Sequence, residues 1–254
     1  MKIAISGKGG VGKTTIMALL ADYLRRRGKN VLVIDADPSP HMAQTLGIRD
    51  FEKITPIAEM TELLVERSGK TPGSPFYQIN PQVNDLLEKY MIEQDGIRLM
   101  VLGAIQVGDG GCACPENNVL RRMLTKLLLD DAQMVLLDME AGVEHLGRGT
   151  IAGVDHLLIV VNPTRSSVRT ALKIRKLARD VAIPKISFVG NLVVDEEDKE
   201  FLTANLGTAP IACYPDLPAV RKAERNGTPL PAVALQLEGI SAQLTGYLLQ
   251  DEAV

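Results

Sequence analysis

Tryptophan is missing from the sequence, and only three of its 254 residues are cysteine. That cysteine count is odd and sparse, which excludes a small disulfide-stapled scaffold and points to a reducing, cytoplasmic setting. Long hydrophobic runs are also missing. The longest apolar stretches run four to six residues, far short of the roughly 20 that a spanning helix needs. No charge of one sign dominates: 28 Lys and Arg stand against 31 Asp and Glu, a formal net charge of −3 with pI about 5.7. Such a balance gives no strong field for nucleic acid, so no nucleic-acid partner is expected. The sequence opens directly on a strand-like run, so no signal peptide is expected either.

What is present alternates. Short apolar runs, Val31–Ile34, Leu99–Leu102, Met134–Leu137, Leu157–Val161, Ile186–Val189 and Ile211–Cys213, are separated by amphipathic stretches such as Val119–Leu129 and Ser166–Ala178. Continuous apolar runs of this length suit strands buried on both faces of a parallel sheet. The expected fold class is therefore α/β, a doubly wound, mainly parallel sheet flanked by helices. A helix is expected over Val233–Leu249. The length fits one domain over 1–254. Residues 66–84 are rich in Gly, Pro, Ser and Asn, so a variable insertion is expected around 50–97.

The first loop carries the chemistry. Lys2–Ser6 reads as a buried strand and Ile16–Leu24 as a helix. Between them lies Gly7-Lys8-Gly9-Gly10-Val11-Gly12-Lys13-Thr14-Thr15. This matches the phosphate-binding pattern G-x-x-x-x-G-K-[ST] in its required context of strand, loop and helix. Glycines let successive N–H groups turn toward phosphate oxygens, and the helix N-terminus adds partial positive charge. Lys13 is expected to reach the β- and γ-phosphates, and the Thr14 hydroxyl to ligate Mg²⁺.

Lys8 adds a second lysine at the start of the loop. The run Lys-Gly-Gly-Val-Gly-Lys-Thr-Thr resembles the deviant phosphate loop of the MinD/ParA/nitrogenase iron protein class of ATPases. The resemblance implies that Lys8 crosses a homodimer interface to touch the partner's ATP. Asp35-Ala36-Asp37-Pro38, after the second strand, resembles the class's switch I. It implies that Asp37 orients the attacking water and that Asp35 supports Mg²⁺ through water. Asp138 caps the run Met134–Leu137, the place from which a carboxylate holds Mg²⁺. Asp138-Met139-Glu140-Ala141-Gly142 resembles switch II, and Gly142, Gly147 and Gly149 give that segment freedom to move. His41 and His145 read as local hydrogen-bonding or exposed residues.

Asn191, at the end of the strand Ile186–Val189, is implied by the resemblance to bond the purine. A guanine-reading N-K-x-D is missing, since the sequence continues Leu192-Val193-Val194-Asp195, which favours ATP and ADP over guanine nucleotides. Pro215, Asp216 and Leu217 resemble the loop that closes over adenine.

Gly110-Gly111-Cys112-Ala113-Cys114-Pro115 is the most distinctive remaining segment. Pro115 suits the first position of a helix with Cys114 as its cap, where a thiol's pKa is lowered toward the thiolate that binds metal. One Cys-x-Cys supplies two thiolates, whereas a closed site for a soft metal usually takes four ligands. Cys112 and Cys114 from both subunits of a dimer would complete such a site, holding Ni²⁺, Zn²⁺ or an iron–sulfur cluster. A redox pair or two inert core thiols are the other readings, and Cys213 reads as simply buried. The Cys-x-Cys with its glycines and proline closely resembles the CooC family, ATPases that assist nickel insertion into carbon monoxide dehydrogenase. That family implies a homodimeric maturation factor with this metalloenzyme as client. The rival readings are an iron–sulfur electron-donating ATPase and a partner-binding switch with no metal role. The short acidic tail Leu248–Val254 lacks the basic amphipathic character of a membrane-docking helix, so no membrane partner is expected.

Overall fold

The computed structural model describes residues 1–70, 77–104, 115–129, 134–139 and 153–250. Eight described strands form one sheet: β1 (Lys2–Gly7), β2 (Val31–Ala36), β3 (Ile92–Gln94), β4 (Ile97–Val101), β5 (Met134–Met139), β6 (His156–Val161), β7 (Lys185–Val193) and β8 (Ala212–Pro215). Their order across the sheet is β3-β4-β2-β5-β1-β6-β7-β8. Every pairing is parallel except β3 with β4. The expected α/β doubly wound class is what the structure has.

Period-two alternation sorts the strand residues onto two cores. Ile3, Ile5, Val31, Val33, Leu136 and Leu158 face one side, where α1 (Lys13–Arg26), α2 (Met42–Leu46) and α9 (Glu238–Leu249) cover them. Ala4, Leu32, Ile34, Leu137, Leu157 and Ile159 face the other. There they meet α3 (Thr61–Ser68), α4 (Asn84–Tyr90), α5 (Pro115–Leu129), α6 (Arg165–Asp180) and α7 (Glu196–Leu206). Because both faces are covered, alternating positions are equally apolar, and the strands read as unbroken hydrophobic runs.

The helix ends follow local chemistry. Thr164 caps α6 by accepting from the Ser167 N–H, and Asp195 caps α7 by accepting from the Asp198 N–H at 3.0 Å. Each such cap is worth about 1 kcal/mol. Glu196, Glu197 and Asp198 load the first turn of α7 with negative charge, which complements the helix dipole. Pro115 opens α5, where its missing N–H costs nothing.

Three details depart from expectation. The helix expected over Val233–Leu249 is a short 3-10 turn, Ala234–Leu237, before α9 begins at Glu238. Asn191 does not end its strand but lies inside β7, which runs on to Val193 through a register shift. The stretch expected as an insertion includes β3, the edge of the sheet, and the first residue of β4, Ile97. Three residues of an antiparallel edge strand carry too little periodicity to be seen in sequence. Among the described residues no helix is long and apolar enough to cross a membrane.

Candidate nucleotide site

The site lies along the carboxyl ends of the parallel strands, where doubly wound sheets hold ligands. β1 sits centrally, with β5 on one side and β6 on the other, and the loop 7–12 leads from it into α1. Two glycines make this loop possible. A Cβ on Gly7 would stand 2.6 Å from the Val160 carbonyl oxygen. Gly12 has φ +91°, and a Cβ there would stand 2.3 Å from Asn191 Nδ2. Val11 turns inward and is buried, so the loop is pinned by one apolar side chain and by polar contacts around it.

Those polar contacts were only partly foreseen. Asn191 Nδ2 donates to the Val11 carbonyl at 2.7 Å. The residue expected to read a purine therefore holds the phosphate loop from behind. Asn162, just past β6, does the same from another side. With its amide nitrogen turned to the loop it donates to the Val11 carbonyl at 3.2 Å and to the Asn191 carbonyl at 3.3 Å. Asn162 was missed in sequence. Its one signal was a polar residue directly after an apolar strand, at the carboxyl end where ligands bind.

Thr14 Oγ1 donates to Asp138 Oδ2 at 2.6 Å. Asp138 is fully buried, and burial pushes its carboxyl up to about 7. The Thr14 hydrogen bond and the Lys13 ammonium oppose the shift, while Asp35 and Asp37 add to it. Its other oxygen, Oδ1, is buried with no hydrogen-bond partner. A buried acceptor without a donor is costly. An orphaned carboxylate oxygen beside a threonine hydroxyl is the donor set a hard divalent cation takes, so these two residues fit Mg²⁺.

Asp35 is buried as well, and desolvation raises it to about 6. Oδ1 accepts from the Asp37 N–H at 3.2 Å and Oδ2 from the Met42 N–H at 3.0 Å. Both oxygens thus organise the turn that follows β2. Asp37 is half-buried and accepts from the Ser39 N–H at 2.9 Å through Oδ1. His41 bonds the Ser39 carbonyl through Nδ1, a local contact of the kind expected for it.

A cavity of about 860 Å³ opens over the loop, with Lys13, Thr14, Asp37, Asn191, Asp216 and Glu224 in its wall. Gly9, Gly10, Gly12, Thr15, Pro215 and Leu217 line it too. That volume is in the range of small-molecule sites. Val11 faces the core instead. Pro215–Leu217 leads from β8 into α8 (Pro218–Asn226), with Asp216 paired to Arg221 at 3.2 Å. Tyr214 anchors this wall from behind. Burial raises its phenol to about 12, and its hydroxyl lies 3.3 Å from Ser241 Oγ. Two further contacts were not foreseen: Thr15 Oγ1 donates to Glu224 Oε1 at 2.8 Å, and Lys8 Nζ donates to Ser166 Oγ at 3.0 Å. Lys8 is exposed and does not line the cavity.

Cys112, Cys114, His145, Gly142, Gly147 and Gly149 lie outside the described residues. Cys213 is half-buried, with burial pushing its thiol up.

Relatives extend this geometry. The chain is 42% identical over 206 residues to the carbon monoxide dehydrogenase accessory protein CooC of Rhodospirillum rubrum, covering 80% of this chain and 78% of that one. It is 40% identical over 235 residues to an uncharacterized ATP-binding protein of Methanocaldococcus jannaschii, covering 91% of each. The septum site-determining protein MinD of Pyrococcus horikoshii, solved with Mg-ADP, shares the fold at a TM-score of 0.69 and 19% identity, over 99% of this chain and 97% of that one. Residues 2–230 match the CobQ/CobB/MinD/ParA nucleotide binding domain, and the chain belongs to that family of P-loop ATPases.

Proposed function

We propose that the protein is a dimerising, ATP-hydrolysing maturation factor that handles a metal ion and assists nickel insertion into carbon monoxide dehydrogenase. The observation that carries the reading furthest is the 42% identity to CooC, joined to the Cys112-Ala113-Cys114-Pro115 run in the sequence.

The reaction converts ATP and water to ADP and phosphate. The backbone N–H groups of Gly9 to Lys13, the Lys13 ammonium and the Thr15 hydroxyl bind the phosphates. Thr14 and Asp138 would hold Mg²⁺, which would supply charge neutralisation at the phosphates. Asp37 orients the attacking water in line with the bond that breaks. Lys8 from the other subunit stabilises the charge that develops on the leaving oxygen. Placing Lys8 and the phosphates on different subunits makes hydrolysis depend on dimer closure. Asn191 and the 215–217 loop frame the base.

Nickel or zinc is cargo in this reading. Two Cys112–Cys114 pairs meeting at a two-fold axis supply four thiolates, a set that suits either ion. Closure changes the geometry of that set, so nucleotide and metal affinities are linked, and the linkage runs both ways.

Metal content and mass, measured together, test the reading. The protein is titrated anaerobically with Ni²⁺ and with Zn²⁺, with ADP, with ATP and without nucleotide, while light scattering reports mass. One metal per dimer, lost in Cys112→Ala/Cys114→Ala and coupled to dimerisation, is the expected result. ATP-driven dimerisation with no stoichiometric metal would leave a nucleotide switch and overturn the maturation role.

A further inference from the structure

One contact between α1 and the α8 wall of the cavity has a chemistry that conflicts with a bound nucleotide. Thr15 Oγ1 gives its single proton to Glu224 Oε1 at 2.8 Å. Thr15 lies in the first turn of α1, beside Lys13 and Thr14, where the backbone N–H groups and the helix dipole gather phosphate. A hydroxyl has one proton to donate. It can serve the Glu224 carboxylate or a phosphate oxygen, not both. A carboxylate at this distance also repels the phosphate it would face.

Glu224 sits on a helix with few other anchors: Val220 packs partly buried against the core, and Arg221 pairs with Asp216. Of the nine residues of α8, Pro218–Asn226, only Ala223 is buried. Breaks bracket the helix on both sides. Pro218 starts it, and Gly227 ends it at φ +64°, a left-handed conformation open to glycine. Few buried contacts and special residues at both ends mark an element with a low cost of local opening. Its leading segment, Pro215–Leu217, belongs to the same cavity wall.

We infer that Glu224 is a latch: it holds α8 against the phosphate loop through Thr15, and an arriving nucleotide's phosphate takes the Thr15 hydroxyl, expels the carboxylate and frees α8. Glu224 is a positioning residue in this scheme, not a contact of the reacting atoms. The inference rests on the nucleotide reading of the cavity. Its consequence is that phosphate occupancy is reported to the side wall of the site. Removing the latch removes a competitor, so affinity for nucleotide rises while the phosphate loop itself is untouched.

The test uses the full chain, ADP with Mg²⁺ as the probe, and the variants Glu224→Ala and Glu224→Gln. Calorimetry reads affinity, and amide hydrogen exchange reads α8. Wild type is expected to exchange faster in residues 219–227 once ADP is bound. Glu224→Ala is expected to exchange fast without ADP and to bind ADP roughly three- to tenfold tighter, the scale of one competing hydrogen bond. Glu224→Gln keeps an acceptor but loses the charge, and should fall between. ADP affinity unchanged or weakened by Glu224→Ala, with wild type binding normally, overturns the latch alone, because Glu224 would then touch the nucleotide or do nothing. No ADP binding by wild type overturns the nucleotide reading, and the competition with it.

Discussion

Asp35 and Asp138 stand in register on the adjacent parallel strands β2 and β5, both buried, with the Asp138 carboxyl pushed up to about 7 and that of Asp35 to about 6. Desolvation is the main cause of both rises; the Asp37 charge adds to each, and the Asp35 charge adds to that of Asp138. In the unfolded chain both return to the ordinary value of 3.8. Between these values the folded protein holds protons that the unfolded chain has released. Stability from these groups is therefore greatest below about pH 4, falls as pH rises toward 7, and levels off above.

The predicted consequence is a variant more stable than wild type. Asp138→Asn keeps an acceptor for the Thr14 hydroxyl and removes the buried charge. Urea unfolding in EDTA should show the two proteins diverging as pH rises from 4 to 8. The variant should be ahead by an amount on the order of a few kcal/mol at pH 8. A wild type that gains on the variant as pH rises would overturn the argument.

The contact between Asn191 and the Val11 carbonyl predicts a coupled pair. Gly12→Ala places a methyl where Asn191 Nδ2 now sits and forces a left-handed φ on alanine. It should cost about 1–3 kcal/mol and weaken ADP binding by more than about tenfold. Asn191→Ala strips a donor from a buried carbonyl and should cost about 1–3 kcal/mol. Both variants break one contact, so the double variant should cost clearly less than the sum. Strict additivity in the unfolding free energies would mean that the two positions do not act on the loop together.

The phosphate loop, the strands and the carboxylates at Asp35, Asp37 and Asp138 were legible because each follows from a local rule: spacing, apolar run, position at a strand end. Asn162, Ser166 and Glu224 were not legible. They reach the site from beyond β6 and β8, and apart from the place of Asn162 directly after an apolar strand nothing within a few residues marks them. Asn191 is legible as a strand residue facing the nucleotide cavity, but its bond to the Val11 carbonyl is not. Its role depends on how closely β7 approaches the loop, which only packing determines. The edge strand β3 escaped because three residues, one of them exposed, leave no periodic trace.

Thr14 carries two duties, a hydrogen bond to Asp138 and a place beside the orphaned Asp138 Oδ1. Thr14→Val keeps the shape and removes both. The expectation is that ADP binds wild type more tightly with Mg²⁺ than in EDTA, while the variant shows one affinity in both. Retention of the Mg²⁺ effect in Thr14→Val would remove Thr14 from the cation's ligands.

Lys8 rests on Ser166 rather than over its own loop's cavity, an arrangement that suits a lysine serving another subunit. Lys8→Ala should bind ATP within about twofold of wild type, since the binding donors of the loop remain. Hydrolysis should fall by at least about 100-fold, because a cation supplied to the transition state of phosphoryl transfer is worth about 10³ or more. Ser166→Ala should hydrolyse ATP normally. Mixing separates the two geometries. Lys8→Ala and Asp37→Ala are each expected to be inactive alone. In a mixed dimer the Lys8→Ala subunit keeps Asp37 and receives a lysine from the Asp37→Ala subunit, so one site is whole. With random exchange half of the dimers are mixed, and about a quarter of wild-type turnover should return. A lysine acting within its own subunit leaves every site in the mixture defective. Activity that stays at the level of the separate variants, at concentrations where wild type is dimeric, would therefore overturn the shared site.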